Sequence, residues 1–232
     1  MGNYGRAPRQ QRMRAKSRNH SFDICTILTT ACITGPVLFC IVLAVTQSLH
    51  PGYNPISQST SDLAFGPYGW LQTADFFFLG LVMIAFGVAL YPGIQRKQGL
   101  RIATGLFVLM GLGEMLIGIF QADLGKSSPI TLHALIHQVA ASVSAVAFPA
   151  VAFLMLPSMK ADPRWKGLAT YTVIAAGVAI GLLIEREAWL VTHWLDPWWG
   201  LYERVIMANS LIWVEIMAIR LLRIYRRERL KT

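Results

Sequence analysis

Apolar runs of about 20 residues alternate along this chain with polar segments, and 18 of its 21 Lys and Arg residues fall in only four of those segments. A run of that length crosses a hydrocarbon core as a helix, so the pattern predicts an integral membrane protein. The four basic segments are the tail from Arg6, the turn of Arg96, Lys97 and Arg101, the turn of Lys160, Arg164 and Lys166, and the tail from Arg220 to Lys231. Because cytoplasmic segments keep Lys and Arg while translocated ones lose them, all four are expected inside. Only Lys126, Arg186 and Arg204 fall elsewhere.

The periodicity predicts an all-α polytopic transmembrane helical bundle of six helices, over 25–48, 70–91, 100–120, 133–156, 168–190 and 204–224. An even number of crossings puts both termini in the cytoplasm of a cell membrane, in agreement with the charges. The expected organisation is a basic disordered tail over 1–23, a membrane domain over 24–225 and a second basic tail over 226–232. The first apolar run is longer than the core of a secretory signal and lacks a small-residue cleavage site, so it reads as a retained helix. Position 6 is Arg, which breaks a myristoylation pattern after Met1-Gly2. Cys25, Cys32 and Cys40, spaced by seven and eight, are expected on one apolar face of the first helix as packing residues. The net charge of +9 is largely that of the cytoplasmic segments, and few aromatic residues interleave with the basic ones, so no nucleic-acid partner is expected. Membrane lipids are the expected partners.

The remaining titratable residues concentrate in the other half. His50, Asp62, Asp123, Glu185, Arg186, Glu187, His193, Asp196, Glu203 and Arg204 stand in or beside the three outward connections. Asp75 and Glu114 fall within helices two and three, roughly 8 to 9 Å below the outer interface, and Glu215 roughly 16 Å down helix six at 1.5 Å per residue. An acid at such depth costs several kcal/mol unless it faces the bundle interior and finds a partner. Crossed pairs of Arg204 with Glu114 or Asp123 would supply one, and the eleven-residue spacing puts Arg204 and Glu215 on one inward face.

His133 and His137 are one turn apart at the outer end of helix four, with Ser144 two turns further along the same face. That spacing suits two ligands to a divalent metal, with Asp123 as a third. The alternative is that both histidines hydrogen-bond to neighbouring helices or loops. Ala134 after His133 excludes the zinc-protease motif. The first outward loop, His50-Pro51-Gly52-Tyr53-Asn54-Pro55-Ile56-Ser57, runs into Ser61-Asp62-Leu63-Ala64 and Gly66-Pro67-Tyr68-Gly69-Trp70. Ser61 and Asp62 can cap a short helix or present a nucleophile and a carboxylate. Tyr68, Trp70, Trp189, Trp194, Trp198 and Trp199 suit the headgroup level as anchors. Helix three, with Gly105, Gly111, Gly113 and Gly118, permits close approach of a neighbouring backbone.

That loop resembles the DUF998 family of multi-pass membrane proteins, as do Gly118-Ile119-Phe120 with Asp123, His133, and Glu203-Arg204. The resemblance covers about 25 to 224, and Asp62 stands where the family commonly has Glu. It implies the fold and marks residues without supplying a reaction. A looser resemblance to membrane hydrolases that include alkaline ceramidases and adiponectin-receptor-like proteins rests on Ser61, Asp123, His133 and His137; those proteins hold zinc with three histidines in seven helices, where this chain has six.

Two readings follow. In one, the outward polar constellation is a metal-dependent, hydrolase-like site for a lipid or small amphiphilic substrate, with Asp62 or Glu114 as general base and Ser61, Asp123, Glu203 and Arg204 around them. In the other, the bundle is non-enzymatic, binds lipid or a partner protein, and uses these charges as structural pairs.

Overall fold

The computed structural model describes residues 6–94, 99–123 and 130–230, so Arg96, Lys97, Lys126 and Lys231 lie outside the described residues. It contains six long helices: α1 (Arg6–Leu49), α2 (Gly69–Gly93), α3 (Leu100–Ile119), α4 (Leu132–Ala161), α5 (Lys166–Thr192) and α6 (Trp199–Arg229). Each is long and apolar enough to cross a membrane. Short 3-10 turns cover Thr60–Phe65 and Asp196–Trp198, and there is no strand among the described residues. The six expected spans are borne out, with α4 and α6 running several residues further at the basic end. The backbone of α1 is helical from Arg6, through a basic segment too poor in apolar residues to build a core of its own.

Consecutive helices are neighbours, and α6 closes the ring against α1; the contact between α5 and α6 is the thinnest of the ring. Glycine sets the tightest crossing. A methyl group on Gly80 would come 2.4 Å from the Gly111 carbonyl oxygen, and one on Gly111 equally close to that of Gly80. Two backbones thus meet directly, the small-residue packing by which helices associate where lipid offers no hydrophobic drive.

The centre of the bundle is Trp213 of α6, fully buried. Phe86 (α2) and Phe148 (α4) meet it edge-on at 6.1 and 5.5 Å between ring centroids, and Phe107 (α3) stacks at 6.2 Å. Its indole N–H donates to Thr172 Oγ1 of α5 at 3.1 Å, so one side chain touches four other helices. Aromatic pairs of this kind contribute about 0.5–1.5 kcal/mol each beyond area burial.

The basic end is tied together by polar contacts. The Gly93 carbonyl, ending α2, accepts from Trp165 Nε1 (3.2 Å) and Arg164 Nη2 (3.3 Å) in the α4–α5 turn, and Tyr225 of α6 donates to Ala89 O. Arg229 pairs with Asp23 at 3.1 Å, which sets the start of the first span beside the end of the last. The cysteines do not share one face: Cys32 is buried, Cys25 half-buried and Cys40 exposed, since a spacing of eight at 100° per residue turns Cys40 away.

Candidate functional site

At the opposite, acidic end, the loop after α1 folds onto the start of α6. Ser59 caps the turn over Thr60–Phe65: its hydroxyl accepts from Asp62 N, and Asp62 Oδ2 accepts from Ser59 N at 3.0 Å, a complete capping box. The capping residue is therefore Ser59, and not Ser61, the cap candidate of the sequence; Ser61 Oγ is 2.7 Å from Ser59 Oγ. Two adjacent residues of α6 fix the turn from below. Glu203 accepts from Thr60 N (2.7 Å) and Thr60 Oγ1 (3.2 Å). Arg204 donates to the carbonyls of Gly200 (2.8 Å), Pro55 (3.0 Å) and Gln58 (3.3 Å) and to the Tyr53 hydroxyl (2.7 Å), which in turn donates to Ser59 O. Gly200 makes the approach feasible, because a Cβ there would lie 2.1 Å from Gln58 O.

Beneath this lid is a cavity of about 660 Å³, bounded by the 3-10 turn and by α2 to α6. Its upper wall carries Asp62, Glu114, His137, Arg186 and Glu203; its lower wall is apolar, with Leu79, Met83, Met110, Phe148 and Leu211. The polar groups are unequally engaged. Asp62 is spent on the cap and Glu203 on Thr60. Burial pushes the Asp62 carboxyl above its ordinary range, against the hydrogen bonds from Ser59 and the nearby His137 and His50, which pull it down. Arg186 reaches Ser142 Oγ (3.1 Å) and pairs with the exposed Glu187 (2.9 Å). Glu114 has no hydrogen bond or ion pair among the described residues, and the charge acting on it is that of Glu203, of like sign. Ser144 Oγ, which also lines the cavity, is buried without a partner among the described residues. His137 Nδ1 is 2.8 Å from the Phe120 carbonyl, which only accepts; the proton of the neutral ring is therefore on Nδ1, and Nε2 keeps its lone pair.

The family model described as "Protein of unknown function (DUF998)" matches residues 33–220, most of the chain and all of this cavity's lining. The chain belongs to the DUF998 family. No curated protein and no solved structure matches it.

Several residues expected at one site in this DUF998 chain are placed apart. His133 is exposed and packs edge-on against Phe120 at 5.2 Å, outside the cavity that His137 lines. Asp123 lines the cavity but accepts from Thr131 N (3.0 Å) and Thr131 Oγ1 (2.6 Å), where Thr131 caps α4. Consequently His133, His137 and Asp123 do not converge, and no group of three His, Cys, Asp or Glu side chains suited to a metal ion occurs among the described residues. Arg204 pairs with neither Glu114 nor Asp123: it points up into the first loop, whose carbonyls satisfy it. Glu215 does not line the cavity, and Asp75 is buried beside Gln72, both without a hydrogen bond among the described residues.

Trp189 and Trp199, expected as surface anchors, stack at 3.9 Å and line the cavity where α5 meets α6; Trp70, Trp194 and Trp198 remain exposed. Sequence reasoning singled out Arg186 by its position alone and missed Gln138. Neither has a charged residue at helical spacing that would mark it as facing the cavity.

Proposed function

We propose that this DUF998 protein binds a membrane amphiphile in the acidic-end cavity, headgroup against the polar upper wall and chain against the apolar lower wall. The observation that carries the reading is Glu114: a carboxylate lining an otherwise furnished cavity, with no partner among the described residues. Ligand pockets are largely apolar with a few convergent polar groups, and about 660 Å³ is of their usual size. An unpaired acid in such a place favours a headgroup bearing a cation or a strong hydrogen-bond donor. The charge distribution supports an outward-facing acidic end, and on that orientation the outer leaflet is the source of the ligand.

The engaged state of Asp62, Asp123, Glu203 and Arg204 supports a binding scaffold over a hydrolase, since those groups are committed to capping and to holding the loop. His137 is the residue through which the site would carry acid–base chemistry. His137 lines the same cavity as Glu114, and a free ring nitrogen needs no metal for that role.

The test is mass spectrometry of amphiphiles retained by protein purified in mild detergent. The wild type is expected to hold one class in near-stoichiometric amount. Ala141→Phe, which fills the cavity, abolishes retention, and Glu114→Gln lowers affinity roughly tenfold, the size of one charge-assisted hydrogen bond. Equal retention by all three, with helicity and melting temperature preserved, would refute the reading.

A further inference from the structure

A second cavity, of about 290 Å³, opens at the basic end between the α4–α5 turn and the last turns of α6. Its wall carries Arg164 from the turn and Arg220, Arg223 and Arg227 from α6, with Glu228 beside them and Ile224 at its base. The positive-inside rule accounts for basic residues at this end, but not for four guanidinium groups from two elements facing one hollow.

Their engagement divides them. Arg164 chelates Asp162 through Nε (3.0 Å) and Nη2 (2.7 Å) and lies 3.8 Å from Glu228. Arg220 donates from Nε to the Arg164 carbonyl at 2.6 Å, which fixes its direction and leaves the rest of its fork unspent. Arg223 and Arg227 are exposed, one turn apart on α6, and have no partner among the described residues. Asp162 and Glu228 both face Arg164, so four guanidinium groups less two carboxylates leave a net charge of about +2 around the hollow. The space equals roughly ten water molecules, enough for a phosphate ester and part of its hydration.

We infer that this pocket is a binding site for the phosphate of an anionic phospholipid. Guanidinium forks match phosphate oxygens in a bidentate way, and pockets of this kind at the cytoplasmic end of helix bundles recognise acidic headgroups. Position selects a lipid over a free anion. Arg164 lies between the end of α4 at Ala161 and the start of α5 at Lys166, so the hollow is at the level where two spans leave the membrane and headgroups lie. Ile224, buried in the bundle core, gives the hollow an apolar floor.

The experiment uses the full chain in nanodiscs made from equal parts phosphatidylglycerol and phosphatidylcholine, with the lipids retained after transfer to detergent counted by mass spectrometry. Wild type is expected to retain phosphatidylglycerol selectively. Arg223→Gln with Arg227→Gln loses that selectivity, by roughly 25-fold at about fivefold per arginine. Arg12→Gln with Arg14→Gln removes the same net charge from the amino-terminal segment and leaves the selectivity in place. Equal loss in both double variants, or none in the first, overturns the inference. A melting-temperature gain with inorganic phosphate alone, and no preference for phosphatidylglycerol, reassigns the pocket to a free anion and overturns it equally.

Discussion

Asp62 shows how one short side chain joins local structure to electrostatics. It completes a capping box with Ser59 and lies partly buried near His137 and His50, with desolvation the largest influence on its carboxyl. The folded-state pKa is thereby raised above the ordinary 3.8. Above the folded pKa the charged, desolvated carboxylate costs stability; as pH falls through it, the folded protein takes up a proton that the unfolded chain does not yet hold, and the cost is relieved. Asp62→Asn keeps an acceptor for Ser59 N but carries no charge. The melting temperature of Asp62→Asn minus that of wild type should therefore be most positive near pH 7 and should decline as pH falls toward about 4. A difference that does not change with pH would show that the Asp62 charge is not penalised in the fold.

Among the helices, Gly80 at the α2–α3 crossing and the exposed Gly105 of α3 are glycines on which packing and backbone propensity act with opposite sign. Gly80→Ala drives a methyl into the Gly111 carbonyl, backbone against backbone, and should lower stability by about 1–3 kcal/mol. Gly105→Ala on α3 meets nothing within 4 Å and should gain roughly 0.5–1 kcal/mol from helix propensity. Reversible unfolding in mixed micelles measures both, and a neutral Gly80→Ala would mean that the helices separate at little cost. The same contrast explains what the sequence disclosed. All six helices were legible, because crossing a bilayer requires length and apolarity, and both are written in composition. Which glycine faces a neighbour was not, because lipid and core are equally apolar and the helices carry no polar stripe to mark a buried side. His133 and His137 illustrate the limit: an i, i+4 pair shares a face only to within about 40°, enough to divide the two between the outside of α4 and the cavity. The polar upper wall was legible as a concentration of acids at one depth. Its internal partnerships were not, since Glu203 and Thr60 are 143 residues apart.

For the whole molecule, the segregation of charge makes a testable prediction about the direction of insertion. Four basic segments at one end and the acidic loops at the other predict that Ser57→Cys, in a chain whose three cysteines are replaced by alanine, reacts with a membrane-impermeant maleimide on intact cells. Thr232→Cys should react only after the membrane is opened. The reverse pattern would invert the topology and move the amphiphile cavity to the inner leaflet. The bundle is also closed part-way down. Met83, Met110, Phe148 and Leu211 line the lower cavity, and one turn deeper Phe86, Phe107 and Trp213 fill the space between helices. The vestibule is thus a cul-de-sac toward the basic end, and on the amphiphile-binding proposal its occupancy would report on one leaflet while remaining blind to the other.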